Sequence, residues 1–133
     1  NFKFHMDGVD YEYFDWNKED EAKQLQGMDI GVYPLPTDAW VMGKSGLKAL
    51  TYMTFALPVV ATNVGTAINR VITDNENGLL VKTDDEWLEK LKYLIDNPAE
   101  RARIGKNARQ TVLDKFSVEA NKPVYLQILK SLV

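Results

Sequence analysis

Cysteine is absent from this chain, which excludes disulfide frameworks, thiolate nucleophiles and zinc–thiolate sites together. That is compatible with a reducing, cytoplasmic compartment. Histidine occurs once, at His5 beside the chain start, which comes close to excluding a Ser-His-Asp triad or a multi-histidine metal site. Strong charge of either sign is also missing: 16 basic against 19 acidic residues give a net charge of −3. No basic block stands out, so the footprint of a nucleic-acid binder is not there. No apolar run approaches the ~18 residues of a membrane span, and no secretory signal is visible. Stretches rich in proline, glycine or serine that would divide the chain are lacking too.

What is there is the composition of a globular protein, with 45% hydrophobic and 26% charged residues over 133 positions. This is the size of one domain, able to bury roughly 65–70% of its extended surface. The chain opens without methionine, and Phe2, Phe4 and Met6 alternate as if already inside a strand. The expectation is a piece of a longer protein.

Pattern and punctuation predict strands alternating with helices. Residues 9–14 alternate and are rich in β-formers, predicting a strand. Asn17 caps a predicted helix over 18–26, with Glu19, Asp20 and Glu21 in its first turn and Gly27 as its stop. A second strand, 29–33, ends at Pro34-Leu35-Pro36. The connection from Pro34 to Gly46 is long for a βα loop, where about 2–6 residues are usual. A helix over 47–55, an apolar strand over 58–61, a short helix over 66–72 and a strand over 79–81 follow. Thr83 and Glu86 form a capping box, opening a helix whose Trp87, Leu91, Leu94 and Ile95 share one face. Asn97-Pro98 signals another helix start, with Ile104, Ala108 and Val112 on the buried face. Ser117 begins a last helix that Pro123 is expected to kink or split. The fold class is therefore α/β: a Rossmann-like, mostly parallel sheet of four or five strands with flanking helices and a helical tail.

Chemistry concentrates between Gly43 and Gly65. Ser45-Gly46-Leu47 places backbone N–H groups at a helix start, where an anion is favoured, and Lys44 and Lys48 add charge on either side. By spacing alone, two solvated lysines and a turn-easing glycine read equally well. The segment is neither a Walker loop nor a GxGxxG fingerprint. Asn63-Val64-Gly65 follows an apolar strand at the sheet edge, either as a ligand contact or as a plain βα turn. Trp40, near Asp38 and Lys44, either covers a sugar or base or pins its loop. Asp29 reads as a turn acceptor. Asp38 is the one carboxylate between Asp29 and Asp74, so a facing pair for glycoside hydrolysis is poorly supported. Arg101, Arg103, Lys106 and Arg109 read as a solvated helix face.

Five stretches together resemble the C-terminal half of retaining GT-B glycosyltransferases of the group 1 family. They are residues 29–36, 43–65 and 77–81, then Arg103-Ile104-Gly105 with Asn107-Ala108-Arg109, and Phe116-Ser117. The resemblance implies that 1–133 is a single nucleotide-sugar-binding domain, one half of a GT-B fold. It implies transfer of a hexosyl group, with retention, from a nucleoside-diphosphate sugar to a glycan or lipid-linked acceptor in polysaccharide biosynthesis. The partners implied are that donor and an N-terminal acceptor domain upstream of Asn1, through which a peripheral contact with the inner face of the membrane is open. No cofactor and no metal are implied, and this part alone is expected not to turn over. Donor contacts are assigned to Gly43, Lys44, Ser45, Gly46, Leu47, Lys48, Thr51 and Asn63, of which the backbone at Ser45, Gly46 and Leu47 corresponds to the family's diphosphate contact; the catalytic residues are unassigned. The family's paired glutamates, one on the donor sugar and one on the ribose, fall on Gly43 and Thr51, and neither is a glutamate. The chain here is similar to a subgroup reading Gly-Lys-Cys/Ser-Gly-x-Lys. The departure keeps open a non-catalytic Rossmann-like scaffold or glycan-recognition module; a flavodoxin- or receiver-like domain fits less well.

Overall fold

A computed structural model describes residues 7–36 and 45–132. Its centre is a parallel sheet of β1 (Gly31–Tyr33), β2 (Val59–Thr62) and β3 (Leu79–Val81), in that spatial order. Gly31 aligns with Val59 and Tyr33 with Ala61, while Val60 aligns with Leu79 and Thr62 with Val81. All four residues of β2 are buried, as expected of a central parallel strand covered on both faces. Alternation sends Val59 and Ala61 into one core with Ala49, Met53, Ile68, Val71, Ile72 and Ala108. Val60 goes to the other face, with Leu79, Val81, Leu94 and Ile104. Each valine, leucine, isoleucine or methionine among them contributes roughly 1.5–3 kcal/mol through burial, the alanines less.

The helices that build these two layers are α2 (Leu47–Thr54), α3 (Thr66–Val71), α4 (Asp84–Asp96) and α5 (Pro98–Thr111), while α1 (Glu21–Gln26) precedes β1 and buries Leu25. The Thr83 hydroxyl accepts from the Glu86 N–H at 3.2 Å, and the Glu86 carboxylate accepts from the Lys82 N–H at 2.6 Å. The capping box thus forms, reaching one residue further back than its usual form. Helix α5 packs against both α2 and α4, and its Gly105 permits the approach. A Cβ there would lie 2.0 Å from the Ala56 carbonyl oxygen. A π-helical turn (Val112–Phe116) leads to α6 (Val118–Lys130), capped by the Ser117 hydroxyl accepting from the Ala120 N–H. Among the described residues no helix is long and apolar enough to cross a membrane.

Several expectations need correction. Residues 9–14 form no strand; the segment is exposed and runs along the surface, because alternation makes a strand only where a neighbouring strand supplies ladder partners. The sheet therefore has three strands among the described residues, not four or five; the alternating residues 2–6 lie outside them. Helix α1 starts at Glu21 rather than 18, since the Asn17 carboxamide oxygen accepts from the Glu19 N–H and forms a turn first. Ile95 is 62% exposed, while Leu94 is fully buried and Trp87 and Leu91 are partly so. Val112 packs only at the margin of its core. Pro123 neither ends nor divides α6, which runs unbroken and buries none of its residues.

The arginines of α5 are not a merely solvated face. Arg101 donates to the Leu94 and Ile95 carbonyls at 2.7 and 2.9 Å, closing the end of α4. Arg109 donates to the Thr54 carbonyl at the end of α2. Arg103 pairs with Glu100 at 2.7 Å and donates to the Asn75 carbonyl at 3.0 Å. These are the orphan carbonyls and turn groups that every helix end and loop must satisfy.

Candidate functional site

Parallel strands deliver their C-terminal ends, and the loops that leave them, to one edge of a sheet. Here that edge carries the segments after Tyr33, Thr62 and Val81. They are tied together: the Thr62 hydroxyl accepts from the Leu35 N–H at 2.9 Å, and the Asn63 N–H donates to the Val81 carbonyl at 2.7 Å. Gly46 and Gly65 precede the helices α2 and α3 at this edge.

Both glycines hold backbone shapes that side chains resist. Gly46 is left-handed, with φ 74°, and buried; a Cβ would come within 3.2 Å of Val71 Cγ2 on α3. Gly65 has φ 116° and ψ −151°, a region open essentially to glycine alone. Because Gly46 has no side chain, the start of α2 carries no side-chain cap. Ser45 is exposed, as is Leu47 at 68%. The first-turn N–H groups of α2 are thus presented beside an accessible surface, which is how a helix start receives an anion.

The other predicted residues are placed less uniformly. The Thr51 hydroxyl donates to the Leu47 carbonyl at 3.0 Å, so its hydrogen is used inside the helix and its lone pairs remain for a partner. Lys48 is exposed, and its Nζ lies 5.3 Å from the centre of the Tyr52 ring. It lines a hollow of about 240 Å³ with Phe14, Trp16, Glu21, Leu25 and Tyr52. Asn63 lines a different one, of about 410 Å³, together with Asp74, Lys82, Glu86, Glu89 and Lys90. Gly43 and Lys44, with Asp38 and Trp40, lie outside the described residues.

Tyr52 is a site residue that sequence reasoning did not single out. Its ring packs on Gly31 of β1, where a Cβ would sit 2.6 Å from Tyr52 Cγ. Burial holds its hydroxyl above the ordinary tyrosine range, which is itself well above physiological pH. The available signal was a glycine inside a strand, which marks close approach by another group.

Residues 5–97 match the family model described as Glycosyl transferases group 1. A trehalose synthase from Pyrococcus horikoshii is 34% identical over 87 residues, covering 65% of this chain and 21% of that enzyme. The C-terminal domain of a group 1 glycosyl transferase, LpcC, from Francisella tularensis superposes with a TM-score of 0.63 at 27% identity, covering 80% of this chain and 53% of that one. A point mutant of TarM from S. aureus, solved with fondaparinux, alpha-GlcNAc-glycerol and UDP, gives a TM-score of 0.63 at 24% identity. It covers 81% of this chain and 21% of TarM, a likeness of fold. The chain spans about a fifth of the length of the trehalose synthase it matches. Its parallel sheet and flanking helices are those of one GT-B domain, and the chain belongs to the group 1 glycosyltransferases.

Proposed function

We propose that this chain is the donor-binding part of a retaining hexosyltransferase, gripping the diphosphate of a nucleoside-diphosphate sugar at the start of α2. The observation that carries the reading is the buried, left-handed Gly46, which leaves the first turn of α2 uncapped at the C-terminal edge of the sheet. An anion on an exposed helix start gains about 0.3–1 kcal/mol, and more where water is excluded. Ser45, Leu47 and Lys48 contribute backbone N–H groups there; Lys44 and Lys48 contribute charge, and Thr51 offers oxygen lone pairs toward a ribose. Asn63 approaches from the adjoining strand. Glycosyl transfer needs its leaving diphosphate stabilised, and preorganised donors of this kind do that without reorganising. Membership of the family supports the reaction class, and UDP in the TarM complex makes UDP the first nucleotide to try. In this reading the donor needs no cofactor, an N-terminal domain of the same chain binds the acceptor, and the work is done in the cytoplasm, at the inner face of the membrane.

One observation favours a second reading, a non-catalytic glycan-recognition module. The position of the family's second glutamate holds Thr51, whose hydroxyl is bonded into its own helix. Transfer of labelled sugar from UDP- and GDP-sugars by the longer protein containing this chain separates the two. The donor-site reading expects turnover that falls at least tenfold in the Lys44→Ala/Lys48→Ala variant. Absence of transfer with every donor supports the recognition module instead, and equal turnover in both proteins removes the lysines from the mechanism.

A further inference from the structure

Lys48 stands in the first turn of α2, where the helix end is positive and an ammonium is disfavoured. Helical side chains lean toward the N-terminus. That lean brings the Tyr52 ring back beside Lys48, its i,i+4 neighbour, and Lys48 rests on the ring face with Nζ 5.3 Å from the ring centre. That platform is fixed, because the ring is wedged on Gly31 with no room for even a methyl group between them. A tyrosine phenol is neutral near neutral pH and burial moves it further from ionising, so what Lys48 meets is the electron-rich face of a ring rather than a phenolate. Phe14, Trp16 and the Glu21 side chain surround the same hollow.

We propose that Tyr52 is a resting seat for Lys48, and that Lys48 leaves it for the phosphate groups of a nucleotide arriving at the start of α2. The inference rests on the donor-site reading above and adds a moving part to it. The field at the helix start repels the lysine until a polyanion sits there, and then the sign reverses. A cation–π contact at an exposed site is weak enough to be outbid by a diphosphate, yet strong enough to hold the charge aside. Tyr52 is thus a positioning residue, acting on the ligand only through Lys48.

The test is NMR of the 133-residue chain with lysine side chains labelled, titrated with UDP and separately with uridine. The Lys48 Hε resonances should lie upfield under the Tyr52 ring current, move downfield with UDP and stay put with uridine. In binding assays Tyr52→Leu should bind UDP about two- to fivefold tighter, the range an exposed cation–π contact corresponds to. Tyr52→Phe should bind like the wild type, and the gain should vanish when Lys48→Ala is added. Retention of the upfield shift in the UDP-saturated protein overturns the proposal and leaves the donor site standing, as does unchanged or weaker binding by Tyr52→Leu. Because the resonance measurement uses wild-type protein, it decides even if Tyr52→Leu fails to fold. A chain that shows no response to millimolar UDP overturns both readings.

Discussion

Gly46 does two things at once: it turns the chain left-handed into α2 and it lets that turn press on Val71. Replacing it with alanine adds a left-handed penalty of roughly 1–2 kcal/mol and pushes a methyl toward α3. Urea denaturation of Gly46→Ala should show that loss together with weakened UDP binding; stability and binding both unchanged would remove the turn from the account. Asn77 makes the complementary case inside the core. Its carboxamide accepts from the Thr73 N–H at 2.7 Å and donates to the Val71 carbonyl at 3.2 Å and to the Thr111 hydroxyl at 3.0 Å. Asn77→Ala strands these groups and should lower unfolding free energy by about 1–3 kcal/mol; a change within experimental error contradicts the role. The two differ in how they could be read beforehand. A glycine just before an apolar, helix-like run announces a turn from sequence alone. Nothing local marks the core role of Asn77, because its partner Thr111 is distant in sequence. The seat that Tyr52 gives Lys48 was hidden for the same reason, since it needs Gly31 beneath the ring.

Elements whose signals are local came out as read. The cap at Thr83 is one, since hydroxyl, acidic first turn and Glu86 all lie within a few residues. Thr83→Ala should cost about 0.5–2 kcal/mol, measurable by denaturation. The segment 9–14 shows the converse: its alternation was real, but a strand exists only by pairing, and no pattern within a segment names its neighbour. Charge on α5 was misjudged similarly, because arginines that clamp distant carbonyls have the spacing of a solvated face. One of these clamps carries a pH signature. Hydrogen bonds from Arg103, then Tyr93, hold the Glu100 carboxyl below its ordinary value of 4.5. A carboxylate lowered on folding adds stability above that ordinary value and loses it as pH falls through the lowered one. Arg103→Gln should therefore flatten the dependence of stability on pH on the acid side of 4.5, with little change in its slope near neutrality. An acid limb identical to that of the wild type would contradict the assignment.

At the scale of the molecule, the three parallel strands of the described residues, with helices on both faces, leave one edge of the sheet as the place where loops converge. The class of the fold was legible because β2 is continuously apolar and because helix starts and strand runs alternate. The tightness of the assembly was not, since it depends on contacts such as Gly105 against Ala56 that join distant parts of the chain. Gly105→Ala places a methyl on a carbonyl oxygen and should force α5 away from the loop before β2, at a cost of about 1–3 kcal/mol. An unaltered melting temperature would show that the layers are looser than described. The family was legible through several short stretches in register, whereas the residues that select a sugar were not, because the resemblance implies glutamates where Gly43 and Thr51 stand. The central claim is that an anion-bearing nucleotide binds where α2 begins, and amide NMR of the ¹⁵N-labelled chain titrated with UDP tests it most directly. The account predicts saturable shifts at Ser45, Gly46, Leu47 and Lys48, with smaller ones at Asn63 to Gly65. Shifts that are absent at millimolar UDP, or confined to α4 and α6, would contradict it.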